Sequence, residues 1–165
     1  MLLNDLIQFE LLPLTDTDRL WIRDFISFHW GSPEVVVHGT RYLPESLPGC
    51  KSLLDGVVVG LITWTITGSS CEVVTLNSLR PRLGIGAALL DAAESAAQKA
   101  GCENCWLVTT NDNLEALRFY RGRGYFVSRI ERGAVDAARK LKPSIPLISE
   151  NGISISVELT LFKLL

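Results

Sequence analysis

Histidine occurs only twice in the 165 residues, and methionine once. His29 and His38 lie far in sequence from the cysteine pair Cys102–Cys105, so the four-ligand set of a zinc site is not present. No apolar run approaches the ~20 residues of a membrane-spanning helix, so no membrane partner is expected. Positive charge is not in excess: the formal net charge is −2, which gives no support to a nucleic-acid partner. The opening stretch MLLNDLIQFELLPLTDTD carries acids early and has no basic segment. It does not read as a secretory signal, and a cytoplasmic location is expected. Internal repeats and low-complexity tracts are absent. Cysteines are few: Cys50, Cys71, Cys102 and Cys105. A redox C-x-x-C pair usually opens a helix, whereas CENC closes one and leads into a strand. These cysteines are therefore expected to be buried, reduced thiols.

What is present reads as alternating strands and helices. IQFELLPL reads as a first strand ended by Pro13. TDTDRLWIRDFISFHW opens on capping residues, and Leu20, Ile22, Phe25, Ile26 and Phe28 recur at helical spacing until Gly31 and Pro33 stop it. PEVVVHGTRYLPESLPG, with its three prolines, is expected to be a loop or a short helix. CKSLL, VVVGLITWTIT and CEVVTLNSL predict three antiparallel strands, because Asp55–Gly56 and Gly68–Ser69 are turn signals between β-rich runs. A helix then runs to about Ala100, and Gly101 is a natural left-handed cap. CWLVTT predicts a strand. NDNLEALRFYRGRG predicts a helix capped by Asp112 or Asn113. YFVSRIER predicts a strand, and GAVDAARKLKPSIPLISENG a long excursion with a helical turn or two. ISISVELTLFKLL alternates cleanly as a last strand. Its apolar end suggests an exposed edge and a possible homodimer. The central strand–helix–strand unit implies a parallel pair with a right-handed crossover, and the remainder is antiparallel. The expected fold is α/β with mixed α+β character: one domain over residues 1–165, with helices on both faces of a mixed sheet.

One helix start carries chemistry. In LRPRLGIGAALL, Gly84 and Gly86 sit where a strand turns into a helix. The first N–H groups of a helix lack intrahelical partners and the helix dipole is positive there, so an anion is favoured. A glycine removes the Cβ that would hold a ligand away. A Rossmann fingerprint needs a third small residue where Leu89 stands, and no acidic residue closes a second strand at the right distance. A P-loop needs a Gly-Lys-Ser/Thr ending that is absent. A coenzyme A pyrophosphate site and a merely tight turn both remain open on the glycines alone.

The second half adds a motif. NDNLEALRFYRGRGYF fits N-x-x-A-x-x-F-Y-x-x-x-G-[FY] through Asn113, Ala116, Phe119, Tyr120, Gly124 and Tyr125, one strand after the glycine helix. Together the two motifs resemble the GNAT family of acetyl-CoA-dependent N-acetyltransferases, and the element order fits over the whole chain. The resemblance implies a GNAT-like mixed sheet and acetyl-CoA as co-substrate. It implies splayed strands whose gap takes the pantetheine arm against Val74, Leu76 and Ser78. The pyrophosphate would meet the N–H groups of Gly84, Ile85, Gly86 and Ala87, and Asn113 would touch the cofactor. Tyr120 occupies the family position of the acid that protonates the leaving thiolate, and Glu72 is a candidate base on what is expected to be a solvated strand start. The family usually has Gln or Arg where Pro81 stands here, so Arg82 or Arg80 is expected to supply the missing contact, Arg82 being preferred.

Acceptor recognition is expected from FHWGSPEVVVHGTRY, with Trp30 and His29 foremost and His38 and Tyr42 beside them. ERGAVDAARKLKPSIPL is expected to contribute as well, its Arg132, Arg139, Lys140 and Lys142 drawing an acidic acceptor or the coenzyme's 3′-phosphate unless they form only a solvated face. Trp64 and Trp106 are expected in the core. The implied activity is transfer of acetyl to a primary amine of a small molecule or peptide, by direct attack in a ternary complex. A non-catalytic acyl-CoA sensor of the same fold is the alternative.

Overall fold

The computed structural model describes residues 8–165. Ile7, the first residue of the expected opening strand, lies outside them; the strand itself, β1, is Glu10–Pro13. Helix α1 covers Arg19–Trp30. Strands β2 (Val35–Val37) and β3 (Thr40–Tyr42) follow, and then β4 (Gly49–Leu54), β5 (Val57–Thr67) and β6 (Ser70–Ser78). Helix α2 is Ile85–Lys99, β7 is Asn104–Thr110 and α3 is Leu114–Gly122. The chain ends with β8 (Phe126–Arg132), α4 (Ala134–Leu141) and β9 (Val157–Leu164).

Among the described residues seven strands form one sheet in the order β1-β4-β5-β6-β7-β9-β8, and only β6 and β7 run parallel. The local reasons are those of the sequence. Asp55 and Gly56 both adopt positive φ, 51° and 78°, which matches the twist of a two-residue hairpin. At the end of α2 the Cys102 N–H reaches the Ala97 carbonyl at 2.9 Å while Gly101, at φ 83°, reaches Gln98. This is the paired cap that a left-handed glycine permits. Helix α2 buries Ile85, Leu89, Leu90, Ala93 and Ala97, one stripe of a 3.6-residue period, against β4, β5 and β6. The resulting core includes Val59, Ile62, Trp64, Val73, Leu107, Tyr120 and Leu161. On the opposite face α1 buries Ile22 and Ile26 against Val35, Leu61 and Val74. Helices thus cover both faces, as expected.

Three expectations change. PEVVVHGTRYLPESLPG is neither a loop nor an α-helix over its first half. Val35–Val37 and Thr40–Tyr42 pair as a hairpin, and a 3-10 turn at Pro44–Ser46 follows. Its turn is His38–Gly39, with φ of 42° and 76°. Histidine is a rare choice there, so the turn carries no Asn-Gly signature. The last strand begins at Val157 rather than near Ile153, because Ile148 and Ser154 form a separate bridge in the excursion. Strand β9 is also not an edge: it lies between β7 and β8, and β8 forms the border. A period-2 pattern reports two faces, not which strands stand alongside.

Candidate active site

Strands β6 and β7 pair over only three rungs, Ser70–Asn104, Cys71–Cys105 and Glu72–Trp106. Beyond Glu72 they separate. Val73, Thr75, Leu76, Asn77 and Ser78 keep partners on β5 and have none toward β7. The register between β5 and β6 slips at Thr63/Trp64, leaving Val74 as the extra residue with no partner on either side. A bulge sharpens the local twist and bends its strand, which opens the gap. A row of backbone groups, including those of Val74, Leu76 and Ser78, is therefore free to bind an extended arm.

The glycine turn lies past the open end of β6. Gly84 is the N-cap of α2 with φ 77°, and no side chain caps this helix start. A Cβ on Gly84 would meet nothing within 4 Å, and one on Gly86 would make only ordinary contact with Phe119 at 3.5 Å. Packing within the chain does not require these glycines to be small. The N–H groups of Ile85, Gly86 and Ala87 belong to the first turn, where an anion is favoured. Arg82 holds a positive φ of 65°, unusual for a side-chain residue, and Arg80 and Arg82 are both exposed. Neither forms an ion pair among the described residues. Asn113, at the end of β7 across the gap, caps α3 by accepting the Ala116 N–H at 3.3 Å.

Tyr120 lies on the α2 face of the sheet, in the core with Cys105, Leu107 and Tyr125. Burial, and secondarily the nearby Cys105, push its hydroxyl well above the ordinary tyrosine range, so it stays protonated. Glu72 projects to the other face and is not solvated as expected; it is buried, 4% exposed. His38 Nε2 approaches Glu72 Oε1 at 2.6 Å, and the Tyr42 hydroxyl donates to Oε2 at 2.7 Å. The two bonds give both oxygens of the buried carboxylate a partner. They also explain the directions of its neighbours. The Glu72 hydrogen bond holds His38 above the ordinary imidazole value against the opposing effect of burial. Burial and Glu72 together raise Tyr42.

On this face His38, Trp106, Arg129, Glu131, Glu158 and Thr160 help to line a cavity of about 700 Å³. Its roof is the β2–β3 turn and α4; its floor is β7, β9 and β8. Trp106 is therefore a cavity wall and not core, while Trp64 is core as expected. Glu158 accepts the His38 backbone N–H at 3.2 Å, and its carboxyl is raised by burial in spite of that bond. Glu131 stands directly across from Glu158 in the β8–β9 register and is paired by Arg129.

Of the residues foreseen for the acceptor, Trp30 binds β6 through Nε1 to Asn77 Oδ1 at 2.9 Å. His29 stays on the exposed flank of α1, against Phe25 and Phe28, and does not line the cavity. Two of the four basic residues of the loop are engaged internally. Lys142 donates to the Trp30 and Glu34 carbonyls, and Arg139 to Asp136 and the carbonyls of Ile145, Pro146 and Ile155. Tyr42 and His38 meet Glu72 across 30 and 34 residues of sequence, a convergence that no local pattern marks. All four cysteines are unpaired, and no cluster of three metal-binding side chains occurs among the described residues.

Residues 18–125 match the model of the acetyltransferase (GNAT) family. The chain belongs to the GNAT family. Its relatives include two Bacillus subtilis proteins of nearly equal length. YxbD is 40% identical over 93% of this chain and 98% of its own, and YdhI is 38% identical over 94% and 98%. Among solved structures, a GNAT acetyltransferase from Elizabethkingia anophelis with acetyl-CoA bound superposes with a TM-score of 0.68 at 16% identity, covering 95% of this chain and 98% of that one. In this GNAT chain the parallel β6–β7 pair, the seven-stranded sheet and the helix start after β6 reproduce the expected architecture.

Proposed function

We propose that this chain, acting as one domain over residues 1–165, transfers acetyl from acetyl-CoA to a primary amine of a small molecule or peptide, by direct attack in a ternary complex. The observation that carries the reading is the gap between β6 and β7, with an uncapped glycine helix start on one side of the sheet and a carboxylate-lined cavity on the other. The pantetheine arm adds to the open edge of β6 at Val74, Leu76 and Ser78. The pyrophosphate takes the N–H groups of Gly84, Ile85, Gly86 and Ala87, with Arg82 closing over it and Asn113 reaching from across the gap. Such placement presents the thioester to both faces of the sheet.

The two chemical roles then fall on opposite faces. Tyr120, held protonated, gives a proton to the leaving thiolate from the α2 face. Proton removal from the amine runs through Glu72 and its bonded partners on the cavity face. The unpartnered backbone at the Val74 bulge is suited to polarise the thioester oxygen. The cavity favours an amine over an acid. Arg129 is neutralised by Glu131, and the buried Glu158 carboxyl adds acceptor oxygens to the wall, which suits an amine better than an acid. Trp30, bonded to Asn77 on the open stretch of β6, is the acceptor contact of this reading, with His29 on the outer flank of α1 beside it.

The test is release of free thiol from acetyl-CoA with spermidine, L-lysine, kanamycin and an alanine-terminated tripeptide. Amine-dependent thiol release supports transfer. Tight acetyl-CoA binding with no release from any of the four supports the sensor reading instead.

A further inference from the structure

We propose that His38 is the catalytic base of this transfer, its Nδ1 accepting the proton of the amine while Glu72 and Tyr42 position the ring. The inference rests on the amine-acetylation reading above. Three observations carry it. Both carboxylate oxygens of Glu72 are already bonded, and its side chain is only 5% exposed, so an amine cannot reach it without displacing two partners. The His38 side chain is 30% exposed and lines the 700 Å³ cavity. Its ring packs at 5.2 Å against Trp106, the partner of Glu72 in the last rung before the strands part, so the imidazole stands at the mouth of the gap.

The tautomer follows from the donor inventory. Carboxylate oxygens accept, and the Tyr42 hydroxyl already donates to Oε2, so the 2.6 Å contact to Oε1 places the hydrogen on Nε2 and leaves the Nδ1 lone pair as the acceptor. The side-chain partner of Nδ1 is the Thr40 hydroxyl at 3.3 Å, a long contact that a substrate amine can replace; the residue's own backbone also acts on the ring and raises its basicity. The logic is that of an acid–histidine pair in hydrolases, with the two ring nitrogens exchanged. The ring is also held from behind. The His38 N–H is bound by Glu158, and φ is fixed at 42° by the two-residue turn.

The charged and titratable groups that face this imidazole are Glu72 on β6, Tyr42 on β3 and Glu158 on β9, with Arg129 and Glu131 on β8 paired to each other across the cavity. The nearer ones stabilise the imidazolium, so the histidine is a stronger base than an isolated one. The step balances. The acceptor ammonium gives one proton to Nδ1, and the freed nitrogen pair forms the N–C bond at the thioester carbonyl. The C–S bond breaks with its electron pair passing to sulfur, which takes the proton of Tyr120. The second proton shed by nitrogen restores Tyr120 through solvent. The products are the amide, the free thiol and one proton, which His38 releases to water.

The experiment is the pH profile of kcat/KM, read as thiol release with the best of the four amines, for the wild type, His38→Asn, Glu72→Gln and Tyr42→Phe. Asparagine tolerates a left-handed backbone, so the hairpin turn is retained. The wild type should show an acid limb with its midpoint above the ordinary histidine value of about 6.5. His38→Asn should lose that limb and roughly 10²–10⁴-fold in kcat, with little change in acetyl-CoA affinity. Glu72→Gln should shift the midpoint to lower pH, and Tyr42→Phe should do so by less. In parallel, the two imidazoles of the protein can be titrated by NMR without any substrate. The His38 signal should titrate above the ordinary value in the wild type and lower in Glu72→Gln. An unchanged limb in His38→Asn, or a His38 titration unmoved by Glu72→Gln, would overturn the assignment while leaving acetyl transfer standing. Absence of thiol release by the wild type with every amine would overturn the transfer reading, and this role with it.

Discussion

On the proposed reading Gly84 has two separable duties, and substitution can tell them apart. Its φ of 77° is left-handed, and a Cβ there would enter open space. Alanine in that conformation costs about 1–2 kcal/mol. For a chain of this length each kcal/mol moves Tm by roughly 2–4 °C, so Gly84→Ala should melt about 2–8 °C lower. Asparagine accepts the left-handed region and is a good N-cap, so Gly84→Asn should melt close to the wild type. Both variants nonetheless place a side chain where the proposed cradle would take the pyrophosphate. Losing one charge-assisted hydrogen bond is worth about 1.5–3 kcal/mol, so both should bind acetyl-CoA roughly ten- to a hundredfold more weakly. Calorimetric titration with acetyl-CoA, beside thermal melts of the free proteins, reads the two effects independently. An asparagine variant that binds acetyl-CoA as tightly as the wild type would refute the cradle: the glycine would then serve the turn alone.

Further expectations concern the arginines, the acid and the frame. Arg82→Ala should weaken acetyl-CoA binding about tenfold or more and Arg80→Ala much less, by the same titration; equal, unchanged affinities would remove both from the site. Tyr120→Phe should keep Tm within a few degrees yet lower kcat by roughly 10²-fold, and full kcat would discard the acid role. Gly49→Ala should destabilise by about 3 kcal/mol or more in urea unfolding, since its Cβ would lie 2.0 Å from the Ile62 carbonyl oxygen, which is backbone and cannot rotate away. At Asp18 burial raises the carboxyl, but the hydrogen bonds from Lys51 and Thr15 outweigh it and leave the pKa below the ordinary value. The stability this contributes should be complete above about pH 4 and fade as pH falls through the lowered folded value; a Lys51→Met variant should show a flatter acid limb in Tm.

Features built from neighbouring residues were legible in the chain. Asp55–Gly56 specified a hairpin, the alanine-rich stripe after Gly86 specified an amphipathic helix, and Asp112–Asn113 specified a cap, which Asn113 provides; all three occur where the pattern put them. The paired motifs around Gly84 and Tyr120 were legible for the same reason, since each is a short run with fixed internal spacing. His38–Gly39 was not, because a hairpin turn with histidine in the left-handed region depends on what the strands pair with rather than on the turn's own preference.

The sequence by itself therefore determined the order of the main-sheet strands and of helices α1, α2 and α3 along the chain, the parallel crossover and the family, since local propensity and periodicity act over a few residues. Only the tertiary structure decided that β9 runs inside the sheet and that β6 and β7 part after Glu72. It alone set Tyr120 and Glu72 on opposite faces and brought His38 and Tyr42 onto a buried carboxylate. Those outcomes follow from strand order and from burial, which join residues 30 or more positions apart and leave no periodic trace along the chain.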